Sequence, residues 1–218
     1  PMVVVAGAVV VAAAIATHAV VLTLQLKHAL PARFAPLVRY YVAASLVFLF
    51  GIALGALMPL YPTLADHFVT AHIVLNAYGW IGLTAFGTLV LLWPTVLHAR
   101  MPETADAAAR KALPVLLTGL FIAAVGPLVG VQLLVTLGMA VWLVGAGVLA
   151  REAWIEGRAM PPGTFAGWSL AAAFVWVVIA GAALGVQALV APDWATLRTE
   201  YLAMLGPLVV GFVVQLVS

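Results

Sequence analysis

The sequence predicts an all-α integral membrane protein, and three observations lead to this fold class. Hydrophobic residues make up 66% of the 218 positions and charged residues only 7%, whereas a soluble domain carries about 25% charged residues. The mean hydropathy is +1.22. The apolar residues form long runs, not the short alternating segments of a transmembrane barrel. We therefore predict a polytopic bundle of transmembrane helices.

A spanning helix needs roughly 20 apolar residues, and seven runs of about this length follow one another along the chain. The long run after residue 111 is divided near Gly126-Pro127, because proline removes a backbone donor and ends regular helix. The segment HARMPETADAAARK, at 98–111, is predicted to be a solvated linker with a short helical tendency. The predicted spans are residues 2–26, 38–60, 68–97, 112–129, 131–150, 165–190 and 201–218.

The basic residues predict the orientation, because lysine and arginine accumulate on cytoplasmic loops. They follow the first, third and fifth spans, and only Arg198 lies on the alternate side. We expect a bacterial cytoplasmic membrane with residue 1 outside, the loop YPTLADHF external and residue 218 toward the cytoplasm. The basic residues on the predicted cytoplasmic side are Lys27, Arg33, Arg39, Arg100, Arg110, Lys111, Arg151 and Arg158.

The chain also contains an internal repeat with an offset of 130 residues. The motif Gly51-x-x-x-Gly55 aligns with Gly181-x-x-x-Gly185, and HALP at 28–31 aligns with RAMP at 158–161. The offset covers four helices, so both copies share one orientation and form a parallel repeat. We predict a first four-helix unit, residues 1–130, and a second, truncated unit, residues 131–218. The incomplete second copy predicts that the chain belongs to a longer polypeptide.

Composition excludes several kinds of chemistry. The chain has no cysteine, which excludes disulfides, iron–sulfur clusters and covalent heme attachment within it. Heme held by histidine, or copper held by histidine or methionine, stays open. No Asp, Glu, Lys or Arg lies deep inside a span, which argues against proton-coupled pumps and carriers of charged solutes. A net charge of +2 favours no nucleic-acid partner, and no complete catalytic site is visible.

His72 is the leading candidate for a ligand. It lies about one turn inside the external end of the third span, and Asn76 follows on the same face. Gly79 removes a side chain nearby, which lets a neighbouring helix or a flat cofactor approach. Trp80 lies deep enough to pack in the core or against a ring cofactor. One imidazole nitrogen could bind heme iron while an acceptor fixes the other N–H. The alternative is a hydrogen bond to another helix or to headgroup water.

The other histidines are predicted to have simpler roles. His18 differs from His72 in depth by about 15–20 Å, so the two do not ligate one heme, and we expect His18 to form an interhelical hydrogen bond. His67 is expected to be solvent-exposed. His28 and His98 are expected to anchor the cytoplasmic interface among lysines and arginines.

The stretch AHIVLNAYGWIGLTAFGTL, at 71–89, resembles the A-H-x-x-L-N-x-x-G-W-x-G-L-T-x-x-G-T-L segment of a known group of membrane domains. These belong to actinobacterial-type copper oxidase and copper nitrite-reductase fusion proteins, where helices precede cupredoxin domains. More distantly, it is similar to NnrS-type proteins and to subunit I of heme–copper oxidases. There a histidine at the external start of the second helix ligates heme.

The resemblance implies that His72 ligates a b-type heme, with Asn76, Gly79 and Trp80 shaping its pocket. Val74 occupies a position where the family often has a second histidine, and the sixth and seventh spans contain none. A binuclear oxygen- or nitric-oxide-reducing centre is therefore not implied. The second axial ligand is expected beyond Ser218.

These observations lead to three functional hypotheses. The first is a membrane-embedded heme b electron-transfer domain of a respiratory or copper-linked oxidoreductase, connected with denitrification. It would pass electrons from a quinol to an external copper (cupredoxin) domain or subunit, and the chain would be an oxidoreductase component if heme is present. The second is a non-redox membrane anchor or assembly module, and the third a channel for a neutral solute or gas. We expect the chain to be a homo-oligomer or a subunit of a complex in the lipid bilayer.

Overall fold

A computed structural model describes residues 2–28, 35–100 and 103–215. This part of the chain is helical apart from short connections and contains no strand. Seven of its helices are long and apolar enough to cross a membrane, which confirms the predicted fold class. They are α1 (Met2–His28), α2 (Ala35–Leu57), α3 (Pro62–Val96), α4 (Glu103–Val129), α5 (Gln132–Ala159), α6 (Phe165–Val190) and α7 (Trp194–Val214).

The third helix changes its winding along its length. Its successive parts are a 3-10 turn, Pro62–Leu64, an α-helix, Ala65–Ile73, a π-helix, Val74–Ile81, and a second α-helix, Gly82–Val96. α7 also ends in a π-helix, Val209–Val214. π-Helical segments are rare and occur frequently at functional sites. The first of these two begins two residues after His72.

The fourth helix begins earlier than predicted. Residues 103–111, expected to be a solvated linker, form its first turns, and Ala105 and Ala109 in this segment are buried. The hydroxyl of Tyr40 donates a hydrogen bond of 3.0 Å to the carbonyl oxygen of Ala109. Alanine is the strongest helix former, and this alanine-rich segment gains further stability by packing on α2.

The turn between α4 and α5 lies at Gly130, between the predicted spans 112–129 and 131–150 and just after Gly126-Pro127. Gly130 has a φ of +75°, a left-handed conformation that glycine adopts without steric cost. The N–H of Val131 donates to the carbonyl oxygen of Gly126 at 2.8 Å, and that of Gly130 donates to Pro127 at 3.3 Å. This pair of bonds is a Schellman motif. Glycine therefore ends the helix, and Pro127 is accommodated in its last turn.

α3 lies at the centre of the bundle and α1 at its edge. Of the spanning stretch of α3, 56% is buried, against 6% for α1. α3 contacts all helices from α2 to α7, whereas α1 packs chiefly on α2. The core forms around Trp142 of α5, which meets Tyr78 edge-on at 5.3 Å and Phe86 at 5.4 Å between ring centroids.

The two aligned glycine motifs both lie at close helix contacts, but they face different helices. Gly51 and Gly55 of α2 face side chains of α3, whereas Gly181 of α6 faces Trp142 and Met139 of α5. Small residues allow such close approach between membrane helices. The four-helix repeat and its unit boundaries stay a prediction.

Candidate functional site

His72 lies where α3 crosses α2, and its imidazole is half-buried. Its Nδ1 is 2.7 Å from the carbonyl oxygen of Gly51. The ring also lies over Gly55, where an added Cβ would be 3.1 Å from Cε1 of His72. Gly55 therefore leaves the space in which the imidazole sits, and Gly51 supplies the carbonyl oxygen that it contacts.

This hydrogen bond determines the tautomer of His72. A backbone carbonyl oxygen only accepts hydrogen bonds, so the proton must lie on Nδ1, which donates. In the neutral imidazole, Nε2 then keeps its lone pair. Within the described residues, Nδ1 forms the one hydrogen bond of this side chain. The arrangement matches that of metal-binding histidines, whose second nitrogen is usually held by a carbonyl or carboxylate.

Asn76 lies one turn below His72 and packs on the other glycine of the motif. A Cβ at Gly51 would be 2.5 Å from Oδ1 of Asn76, so a larger residue there would displace this amide. Oδ1 is buried and has no hydrogen-bond partner among the described residues. Such groups are rare in native proteins. The α2–α3 contact thus combines an oriented imidazole with an unpaired amide oxygen.

The predicted space near Gly79 and Trp80 is filled by side chains of α2. The Cβ position of Gly79 would collide with Cγ1 of Val47. The indole of Trp80 stacks on Phe48, with ring centroids 3.9 Å apart and an interplanar angle of 3°. The sequence predicted that either a neighbouring helix or a flat cofactor would approach the backbone at Gly79. The structure places a neighbouring helix, α2, there. Any flat cofactor at His72 must lie on the side of the imidazole away from this contact.

The π-helix extends one half-buried stripe along α3. The stripe, which we call the α3 polar stripe, consists of His72, Asn76, Trp80, Thr84 and Thr88. A π-turn contains more residues than an α-turn, so residues four apart stay closer to one face. At the C-terminal end of the stripe, Oγ1 of Thr88 donates to the carbonyl oxygen of Thr84 at 2.8 Å. The hydroxyl of Tyr41 donates to Oγ1 of Thr88, also at 2.8 Å.

Sequence reasoning missed the α2 partners of this stripe and the π-helix. The five residues of the stripe lie four positions apart, and this constant spacing was a usable signal. On a regular α-helix, residues at this spacing drift around the helix, so one common face requires a different winding. No sequence pattern indicates that the carbonyl of Gly51 accepts a bond from His72. That contact depends on the packing of two helices.

The structure contradicts the prediction that His67 is solvent-exposed. It is half-buried, its Nδ1 lies 2.7 Å from the carbonyl oxygen of Pro127, and its ring centroid is 4.8 Å from that of Trp194. This histidine ties the N-terminal end of α3 to α4 and α7. His18 is exposed on α1 and forms no hydrogen bond within the described residues, so the expected interhelical bond does not occur within the described part of one chain.

Charged groups around the N-terminal end of α3 stabilise the helix ends. Arg198 of α7 forms an ion pair of 2.8 Å with Asp66 of α3. The Asp193 carboxylate caps α7 by accepting from the backbone N–H of Thr196 at 2.8 Å. This backbone hydrogen bond lowers the pKa of Asp193. Neither carboxylate belongs to the α3 polar stripe.

A small pocket lies among α3, α4 and α5, away from His72. Its lining includes Trp93, Pro94, Glu152 and Glu156, and no residue of the predicted heme pocket. The described residues contain no group of three histidine, aspartate or glutamate side chains placed to hold a metal ion. A metal at His72 would therefore require a macrocycle or further ligands.

The fold and the site together define a polytopic helical membrane protein whose described residues include an oriented histidine, His72, at the α2–α3 contact. No protein-family model, curated protein or solved structure matches the chain.

Proposed function

We propose that the chain is a membrane-embedded electron-transfer domain that binds a b-type heme through Nε2 of His72. The hydrogen bond between Nδ1 of His72 and the carbonyl oxygen of Gly51 carries this proposal. It fixes the tautomer that leaves Nε2 for a metal, and it raises the basicity of that nitrogen. Intramembrane ionisable side chains generally have a functional role.

The neighbouring residues would orient the ligand and exclude water. Gly51 and Gly55 of α2 contact the imidazole. The stacked Trp80 and Phe48 pack between the same two helices on the C-terminal side of His72 along α3. A bound heme would supply a one-electron redox couple near the external face. In the proposed setting, this domain passes electrons from a membrane quinol to an external copper domain in nitrite- or nitric-oxide-linked respiration. The domain would thus be the electron-transfer component of an oxidoreductase.

An optical spectrum of the purified protein tests this function. We expect a reduced b-type α-band that disappears in the His72→Ala variant and persists in His67→Ala. The second histidine is a matched control because its Nδ1 also bonds to a carbonyl oxygen. An α-band that survives His72→Ala would overturn the ligand assignment. A protein without heme would overturn the electron-transfer function itself.

One observation favours the non-redox anchor as the second candidate. Side chains of α2 fill the positions beside Gly79 and Trp80, so the His72–Gly51 bond can act purely as a link between two helices. Under that function the protein is colourless, and His72→Ala lowers its melting temperature without changing any spectrum. Nothing in the described residues favours the channel.

A further inference from the structure

The surface of α1 that is exposed and does not contact the bundle carries polar side chains within the predicted span. Gly7, Val11, Ala14, His18, Val21 and Gln25, which we call the α1 stripe, are all exposed. Their spacing of alternating four and three residues places them on one face of the helix. A different face of α1, centred on the buried Ala19 and about 100° from His18 around the helix, packs on α2. The stripe is therefore separate from the contact that attaches α1 to the bundle.

His18 and Gln25 differ from the other polar residues of this helix. Thr17 and Thr23 donate to carbonyl oxygens one turn earlier, each at 2.8 Å, and so satisfy their hydroxyl hydrogens locally. His18 and Gln25 form no hydrogen bond within the described residues. Polar side chains within membrane spans almost always face protein or a water-filled cavity. An imidazole facing lipid, some 16 residues inside the span, requires a partner that covers it.

We propose that the α1 stripe is a dimer interface, and that its occupant is the same stripe of a second copy of this chain. Two copies in one membrane share their orientation, so a two-fold axis along the membrane normal brings equivalent residues to equal depth. His18 then meets His18 of the partner subunit, and Gln25 meets the equivalent glutamine.

This pairing satisfies the hydrogen-bonding groups on both sides. A neutral imidazole has one donor and one acceptor, and a glutamine amide has both kinds of group. Each side chain can therefore form a hydrogen bond with the same side chain of the partner subunit. A side chain with only donors or only acceptors could not do so. Gly7 and Ala14 lie on the same stripe, and an added Cβ at Gly7 would meet nothing within 4 Å. Small residues at these positions allow two helices to approach closely.

Cysteine cross-linking in native membranes tests the interface directly, because the chain contains no cysteine of its own. Ala14→Cys lies on the stripe. Ala13→Cys is the matched control, because it is equally exposed, adjacent in depth and about 100° away around the helix. We expect oxidation to convert most of the Ala14→Cys protein to a covalent dimer and to leave Ala13→Cys monomeric. Equal cross-linking at both positions, or none at Ala14→Cys, would overturn the proposal.

A second variant tests the polar pairing. His18→Leu in the Ala14→Cys background should reduce dimer formation several-fold, as expected when interhelical hydrogen bonds are lost in a membrane. Its melting temperature as a monomer should not fall, because His18 contacts no other described helix through a hydrogen bond. Undiminished cross-linking in His18→Leu would show that His18 does not hold the interface. A heme signal that persists in both variants keeps this result separate from the function of His72.

Discussion

At the residue scale, the candidate site depends on one hydrogen bond that is made and one that is missing. The bond from Nδ1 of His72 to Gly51 orients the imidazole and leaves the lone pair on Nε2, the atom that we propose binds the heme iron. The missing bond is that of Oδ1 of Asn76, which is buried against Gly51 without a partner. Gly51 therefore supports both side chains, one through its carbonyl oxygen and the other through its lack of a Cβ.

This dual role of Gly51 predicts a coupling between two substitutions. In Gly51→Ala, the new Cβ would lie 2.5 Å from Oδ1 of Asn76, and overpacking of this kind costs about 1–3 kcal/mol. In Gly51→Ala/Asn76→Ala, the colliding amide is absent, so we expect part of that stability to return. Melting of the four proteins of the cycle in detergent measures the coupling, which should be about 0.5–3 kcal/mol. Strictly additive effects would contradict the contact.

The sequence alone placed His72 and Asn76 on one face, because a spacing of four residues is a property of the helix itself. It could not assign what lies beside them. The acceptor, the carbonyl oxygen of Gly51, is 21 residues from His72 on another helix. Val47 and Phe48 fill the space beside Gly79 and Trp80, where the sequence predicted either a helix or a cofactor. Contacts between helices depend on packing angles that local spacing does not encode.

At the element scale, hydrophobic runs predicted all seven helices, but several ends and the π-helix were missed. A run of apolar residues marks the part of a helix that needs lipid or core around it. The polar, alanine-rich start of α4 has no such requirement, and its docking on Tyr40 of α2 decides its structure. The π-helix changes which residues share a face of α3 without changing the apolar character of the run.

The closest helix pair, α4 and α5, gives a test of element packing. A Cβ at Gly119 would collide with the backbone N of Trp142, and a Cβ at Gly138 with the backbone N of Ala123. Backbone atoms of packed helices cannot move aside, so we expect Gly119→Ala and Gly138→Ala each to lower the melting temperature strongly.

Gly147→Ala on α5 is the control for this pair, because nothing lies within 4 Å of its Cβ position. Alanine in a helix interior is favoured over glycine by roughly 0.5–1 kcal/mol, so this variant should be as stable as the parent protein or more so. If Gly119→Ala melts at the same temperature as Gly147→Ala, the close α4–α5 contact is wrong.

At the scale of the whole molecule, α3 is surrounded by other helices while α1 contacts chiefly one neighbour. The candidate heme ligand thus lies on the most buried helix and the proposed dimer interface on the least buried one. The predicted repeat does not duplicate the site, because Leu202, which aligns with His72, is 45% exposed on α7. Within the predicted repeat, only the first copy carries a histidine at this position.

The predicted orientation can be measured with single cysteines in opposite loops. Thr63→Cys and Met160→Cys are both at exposed positions, on the predicted outer and cytoplasmic sides respectively. A membrane-impermeant maleimide should label Thr63→Cys in intact cells and Met160→Cys only after permeabilisation, because basic residues stay on the cytoplasmic side. The reverse pattern would contradict the assigned orientation.

The most direct test of the central claim is the heme content of His72→Asn. The amide nitrogen of asparagine, like Nδ1 of histidine, is bonded to Cγ, so it can still donate to the carbonyl oxygen of Gly51. The variant keeps the helix link and removes the ligating nitrogen. We predict loss of the b-type spectrum from a protein that still folds. An unchanged b-type spectrum in a folded His72→Asn protein would contradict the assignment of His72 as the heme ligand.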